Sequence, residues 1–269
     1  MTAIAITGAG GRMGRALAQA ITADPAVQLG AALVRGDSSL LGLDAAVLGA
    51  EHAGGGLDCI VSSDLQSGIA ASDCVIDFTT PECAMDALQA CLAARCPLVI
   101  GTTGFSAEQL MQIDEVAAEL PIVLAPNMSV GVNLAFELIA QAARALGSEC
   151  DIEVIEAHHR GKRDAPSGTA VRMGQIIADV TQRDLDEVAL YGRQGLSEPR
   201  DQQTIGFSTV RAGDIVGEHT VMFAGDGERL EITHRASSRG NFAAGAVRAA
   251  KWLVQQPPGR YDMGDVLGL

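Results

Sequence analysis

Lysine is almost missing from this chain: of 19 basic residues, only Lys162 and Lys251 are lysine. Ordinary basic positions are covered by arginine, which cannot release its proton near neutrality, whereas an ammonium can be tuned to donate one. A lysine three residues after a pair of histidines therefore marks that stretch for chemistry. Also missing is any run of roughly 18 consecutive apolar residues, so no membrane helix is expected. The strand pattern that opens at Ala3 has no basic n-region or cleavage site before it, so no secretory leader is expected and the chain reads as cytoplasmic. Six cysteines are scattered without a single C-x-x-C pair, in a chain of 269 residues that needs no disulfide staples. They are expected as buried, reduced thiols, and no metal is expected. Positive charge is scarce overall, with a net charge of −14 and a pI near 4.7. That balance excludes nucleic acid as a partner and leaves a small anionic ligand, bound where Arg160, Lys162 and Arg163 focus positive charge.

What is present begins with a short apolar run, residues 3–7, that stops at Gly8-Ala-Gly-Gly-Arg-Met-Gly14 and continues in a helical pattern. Strand, glycine turn and helix in that order form an anion cradle, because backbone without Cβ atoms lets a pyrophosphate approach the free N–H groups of the helix start. The strict G-x-G-x-x-G frame fails at Met13; the frame Gly8, Gly11, Gly14 works. The second strand is expected at 27–34. Its end, where an acid commonly binds the adenosine ribose, holds Val34 and then Arg35. Without a carboxylate, and with a guanidinium to pair with a 2′-phosphate, the cofactor is expected to be NADPH, with NADH less favoured. Further short strands are expected at 58–62, 74–78, 97–100 and 122–124. Helices are expected from Thr80-Pro81 to Ala94, after the capping-box pair Ser106 and Gln109, and over 130–146. This alternation is that of a Rossmann-like doubly wound parallel sheet, an α/β fold. Ligands meet the turns after the strands of such a sheet, which adds Gly101-Thr-Thr103 and Ala125-Pro-Asn-Met128 as cofactor candidates.

After Gly147 the pattern changes. A strand over 151–159, a helix over 169–180 and strands at 204–211, 215–223 and 229–235 indicate a second α+β domain on a mixed sheet. Gly225-Asp-Gly227 is a hairpin signal between the last two. A helical pattern over 241–255 follows. The expected division is 1–127 for the dinucleotide, 128–236 for substrate and oligomerisation, and 237–269 returning to the first domain. Residues 156–170 hold His158, His159 and Lys162 ahead of a Pro-Ser-Gly-Thr turn. Adjacent strand residues face opposite ways, so the two histidines divide their work unless the strand ends there. Gly168 and Thr169 offer N–H groups at a helix start, an anion site. His52, His219 and His234 lack such neighbours in sequence and are read as structural.

Taken together, these segments resemble the 4-hydroxy-tetrahydrodipicolinate reductases, also called dihydrodipicolinate reductases. The similarity is carried by Gly8 to Arg15, Val75-Ile-Asp-Phe-Thr79, Ile100 to Phe105, Ser129-Val-Gly-Val-Asn133, Glu156-Ala-His-His-Arg160, Asp164 to Ala170 and Ala212 to His219. The resemblance implies NAD(P)H-dependent reduction of a cyclic imino dicarboxylate in lysine and diaminopimelate biosynthesis, with hydride added at ring C4. It implies His158 as proton donor with Lys162 as its partner, and His159, Gly168 and Thr169 as contacts to substrate carboxylate. For the cofactor it implies Gly8, Ala9, Gly10, Gly11, Arg12 and Met13, the turns 101–103 and 125–128, and Arg35. It further implies a homotetramer. Val34 departs from relatives that use NADH well, which carry an acid there. Arg239 matches a position near the domain junction without an assigned role. Two other readings share many of these features: a related two-domain NAD(P)H reductase of another imine or aldehyde, and a noncatalytic dinucleotide sensor.

Overall fold

Residues 1–49 and 56–269 are described by the computed structural model, so His52 lies outside the described residues. In chain order come β1 (Thr2–Thr7), α1 (Arg12–Ala23), β2 (Val27–Leu33), α2 (Leu65–Ala70), β3 (Cys74–Asp77), α3 (Pro81–Ala94), β4 (Leu98–Ile100), α4 (Ala107–Ala117) and β5 (Pro121–Leu124). Local chemistry sets several of these boundaries. Thr80 caps α3 by accepting from Cys83 N, with Pro81 in the first turn, and Ser106 and Gln109 close a reciprocal capping box on α4. The strand expected at 58–62 does not form. Only isolated bridges, Asp44 to Ile60 and Leu33 to Ser62, mark it, because Asp58 takes a left-handed φ of +52° and Ile60 stays exposed.

The chain continues through α5 (Val130–Leu146), β6 (Asp151–His158), α6 (Gly168–Thr181), α7 (Leu185–Val188), β7 (Ala189–Tyr191), β8 (Ile205–Arg211), β9 (Gly217–Ala224), β10 (Arg229–Ala236), α8 (Gly240–Leu253), β11 (Gly259–Tyr261) and α9 (Met263–Leu267). It divides into two compact units, one of Met1–Val130 with Arg239–Leu269 and the other of Gly131–Ser238.

In the first unit six parallel strands run in the order β2-β1-β3-β4-β5-β11. Strand order reverses between β1 and β3, the switch point at which open α/β sheets bind ligands. Each face carries its own apolar core: Leu17 and Ile21 of α1 with Ala246 and Ala250 of α8 on one, and Leu88 of α3 with Ile113 of α4 on the other. In the second unit the order is β10-β9-β6-β8-β7, with central β6 antiparallel to β9 and parallel to β8. The hairpin from β9 to β10 turns where expected, with Gly225 N donating to Glu228 O at 3.0 Å and Gly227 at φ +89°. One sheet face packs Ile152, Val154, Phe207 and Phe223 against α5 and α6. No helix among the described residues is long and apolar enough to cross a membrane, and all six cysteines are free.

Candidate active site

Four turns leave the carboxyl edge of the parallel sheet, and backbone hydrogen bonds lace them together. Ala9 N donates to Leu33 O at 2.9 Å, Gly101 N to Asp77 O at 2.9 Å, and Ala125 N to Ile100 O at 3.1 Å. Asp77, fully buried at the end of β3, accepts from Thr7 Oγ1 (2.5 Å), Thr79 Oγ1 (2.8 Å) and Thr102 Oγ1 (2.5 Å). One side chain thereby ties the turns after β1, β3 and β4 into a single frame.

Beside the switch point opens a cleft of about 910 Å³, lined by Gly8, Gly10, Gly11, Val34, Arg35 and Thr79 among others. Gly8 needs its left-handed φ of +64°. A Cβ at Gly14 would sit 2.4 Å from Gly8 O and 2.6 Å from Ala9 Cα, so the helix reaches the strand only because no side chain intervenes. Gly11 caps α1 without a side-chain hydrogen bond, and the first turn has no acidic residue. That leaves the helix start suited to a diphosphate. The remaining candidates differ in what they can offer. Arg12 and Thr103 are exposed, Met13 and Gly101 half-buried, and Thr102 buried. Ala9, Ala125 and Met128 put their side chains into the core, so only their main chains can serve a ligand. Pro126 is exposed, and Asn127 Oδ1 accepts from Ser129 N at 2.9 Å. The Arg35 side chain, 82% exposed at the cleft rim, lies 3.5 Å from Asp37.

The second constellation grows from strand alternation in β6. Ile152, Val154, Glu156 and His158 all face the same side. The first two are core, and the stripe turns polar toward the strand's end. Register brings the partners: Arg211 of β8 lies opposite His158, and His219 of β9 opposite Glu156. Glu156 Oε2 is 2.6 Å from His158 Nδ1, and Arg211 grips both carboxylate oxygens at 2.8 and 2.7 Å. Ser167 N donates to Glu156 Oε1 at 3.0 Å, while Ser167 Oγ is 2.8 Å from His219 Nε2 and caps α6 by accepting from Ala170 N. The rings of His158 and His219 meet edge to face at 5.1 Å.

β6 ends at His158, so His159 begins a turn, with Lys162 N donating to His159 O at 3.1 Å. Strand alternation therefore does not assign His159 a face. Its side chain is half-buried. Lys162 Nζ pairs with Asp164 at 2.8 Å and keeps 22% of its side chain exposed. Gly168 and Thr169 open α6, and Gly168 has open space where a Cβ would stand. Arg239 holds the N-cap position of α8 without a side-chain cap bond.

Electrostatics separate the titrating groups. Burial alone would raise the Glu156 carboxyl, but hydrogen bonds from Arg211, His158 and Ser167 N outweigh it and hold the pKa at about 2. Burial pushes His158 below its ordinary value; Glu156 opposes that shift, and the charges of Lys162 and Arg211 add to it. His219 falls to about 4, chiefly by burial and then by its proximity to His158. Among the described residues no group of three or more His, Cys, Asp and Glu side chains is arranged to hold a metal ion.

Comparison with known proteins decides the family. Residues 2–128 match the profile described as "Dihydrodipicolinate reductase, N-terminus", and residues 131–267 match its C-terminal counterpart. The chain belongs to the dihydrodipicolinate reductase family. A protein of Alkalilimnicola ehrlichii named 4-hydroxy-tetrahydrodipicolinate reductase is 57% identical over 269 residues, covering 100% of this chain and 99% of the relative. The protein of that name from Hahella chejuensis is 54% identical over 272 residues, with both chains covered in full. Among solved structures, a dipicolinate-bound dihydrodipicolinate reductase from Paenisporosarcina sp. TG-14 is similar at 26% identity and a TM-score of 0.76, covering 97% of each chain. In this chain, sequence reasoning assigns no role to Glu156, Ser167 or Arg211 and reads His219 as structural. The available signal was the Glu-x-His spacing at the end of a strand, which puts both side chains on one face; Arg211 and His219 needed the register.

Proposed function

We propose that this chain reduces 4-hydroxy-tetrahydrodipicolinate with NADPH, in lysine and diaminopimelate biosynthesis. Full-length identity above half to relatives that carry that name is the observation that carries this reading. The balanced reaction consumes substrate, NADPH and one proton and yields tetrahydrodipicolinate, NADP⁺ and water. The substrate first loses its 4-hydroxyl as water to give dihydrodipicolinate, and when bound the reduced nicotinamide supplies the hydride that then adds to ring C4. The glycine turn Gly8–Met13 and the turns 101–103 and 125–128 hold the dinucleotide through main-chain groups. His159 and the N–H groups of Gly168 and Thr169 bind the substrate's carboxylate.

Hydride addition leaves electron density on an enamine-like carbon, which needs a proton. His158 delivers it and Lys162 assists. In the free enzyme the lowered His158 pKa keeps the ring mostly neutral at pH 7. A dianionic substrate beside it favours the imidazolium, so the proton is loaded as the substrate arrives.

Cofactor choice rests on Val34 and Arg35: the end of β2 holds no carboxylate, and the guanidinium at the cleft rim, paired with Asp37 at 3.5 Å, can exchange that partner for a 2′-phosphate. Following nucleotide absorbance while the preceding enzyme supplies substrate, kcat/KM is expected to be higher with NADPH than with NADH. Arg35→Ala should lower the NADPH value about tenfold, the loss of one charge-assisted pair to phosphate, and leave the NADH value in place. No turnover with either nucleotide overturns the reading, and a preference for NADH overturns the cofactor choice. The six free thiols suit a reducing cytoplasm, which cell fractionation checks.

We further propose a homotetramer formed through the second unit's sheet. Val210 of β8 and Leu230 of β10 are exposed there, along with Leu190 and Tyr191 of β7. Light scattering at micromolar concentration should give four times the chain mass, and a monomer would contradict the assembly.

A further inference from the structure

Glu156 sits at the crossing of two functions. Its Oε2 meets His158 Nδ1 and Arg211, and its Oε1 meets Ser167 N and Arg211. These four contacts fill the lone-pair positions of an ionised carboxylate, which can only accept. Nδ1 must therefore carry a hydrogen, and Nε2 is the ring position left to gain or lose one. That second nitrogen lies over Gly217, where an added Cβ would stand 3.0 Å away. Ser167 N is the cap N–H of α6, directly before Gly168 and Thr169. The groups that face His158 are Glu156 on its own strand, Lys162 on the following turn, Arg211 on β8 and His219 on β9. Of these only Glu156 is an acceptor on Nδ1.

We infer that Glu156 is a positioning residue for the reduction: one oxygen sets the tautomer of His158 so that the transferable proton sits on Nε2, and the other fixes the start of α6. The inference rests on His158 being the proton donor. The same carboxylate would thus hold both the acid and the anion site in register, an arrangement that the two roles assigned separately do not require.

Glu156→Gln tests this with little change of volume. An amide that keeps accepting from Ser167 N and Arg211 turns its NH₂ toward Nδ1, which opposes a hydrogen there. Histidine ¹⁵N spectra of the full chain near pH 8 should show His158 as the Nδ1–H tautomer in the wild type and Nε2–H in the variant. Turnover should fall about 10²-fold, the scale of a general acid's contribution, with KM little changed. The loss of activity with rising pH should begin at lower pH. Glu156→Asp, which keeps the charge, should retain the wild-type tautomer and recover part of the turnover. Glu156→Ala should raise KM as well, because the start of α6 loses its anchor.

An Nε2–H tautomer in the wild type overturns the inference whatever the activity. So does a Glu156→Gln variant that loses only thermal stability and keeps both the tautomer and the pH profile of kcat. If the wild type shows the Nδ1–H tautomer but does not reduce the substrate, the functional reading fails while the hydrogen-bond assignment stands. Should Glu156→Ala not fold, the Gln and Asp variants carry the test.

Discussion

Replacing His158 with glutamine is expected to lower kcat by about 10²–10⁴-fold, the span attributable to a positioned general acid, while nucleotide binding and the folded state persist. His158 is 9% exposed, and it closes a polar stripe that continues a core face, so a side chain of similar size keeps the packing. Glutamine cannot hold a transferable proton. Lys162→Ala should cost turnover by orders of magnitude too, since it removes the ammonium that assists proton delivery. The nucleotide cleft is lined by residues of the first unit, so NADPH affinity measured by fluorescence titration should match the wild type in both variants. A pH signature accompanies the loss. The proton donor works only when protonated, and burial holds its pKa below the ordinary histidine value. Wild-type kcat/KM should therefore decline as pH rises through that lowered pKa, and the decline should vanish in the residual activity of His158→Gln. Near-normal turnover in both variants would remove the proton-delivery roles.

Gly14→Ala is expected to cost the nucleotide more than tenfold in affinity and to destabilise the first unit by about 2 kcal/mol, in the usual range for overpacking. The added methyl would meet Gly8 O at 2.4 Å and Ala9 Cα at 2.6 Å. These are backbone atoms of the turn itself, so no flexible side chain can yield. α1 must back away from β1, and the N–H groups of its first turn move from a diphosphate held by the glycine turn. Thermal melts with and without NADPH separate the two effects. A variant whose melting temperature rises on adding NADPH as much as the wild type's would show that the close approach of α1 is dispensable for binding.

Much of the first unit is legible from pattern because its signals are local. The turn at Gly8–Gly14 and the caps at Thr80 and Ser106 are each fixed by residues within a few positions of one another. The stretch at 58–62 misled because apolar content alone does not make a strand; a partner must reach it, and Asp58 turns the backbone away. Of the candidate site, His158, Lys162 and the start of α6 were visible in sequence because they crowd into a dozen residues. Arg211 and His219 were not, since Arg211 joins Glu156 across 55 residues and His219 comes opposite Glu156 only through a strand register that no local rule supplies. β11, a three-residue strand, was missed because its pairing with β5 rather than its composition defines it.

That pairing has a consequence for how the protein is made. Residues 2–124 leave the ribosome with five of the six strands of their sheet, but one face carries α1 without α8 and β5 is an open edge. The whole second unit is synthesised before residues 240–261 emerge to close them, a wait of roughly 7–27 s at ~5–20 residues per second. The nascent first unit is thus a partly covered sheet with an open strand edge, the state most open to wrong partners and to chaperones. The inserted second unit is contiguous in the chain and can complete its sheet first, so the order of folding during synthesis runs opposite to the order of the sequence.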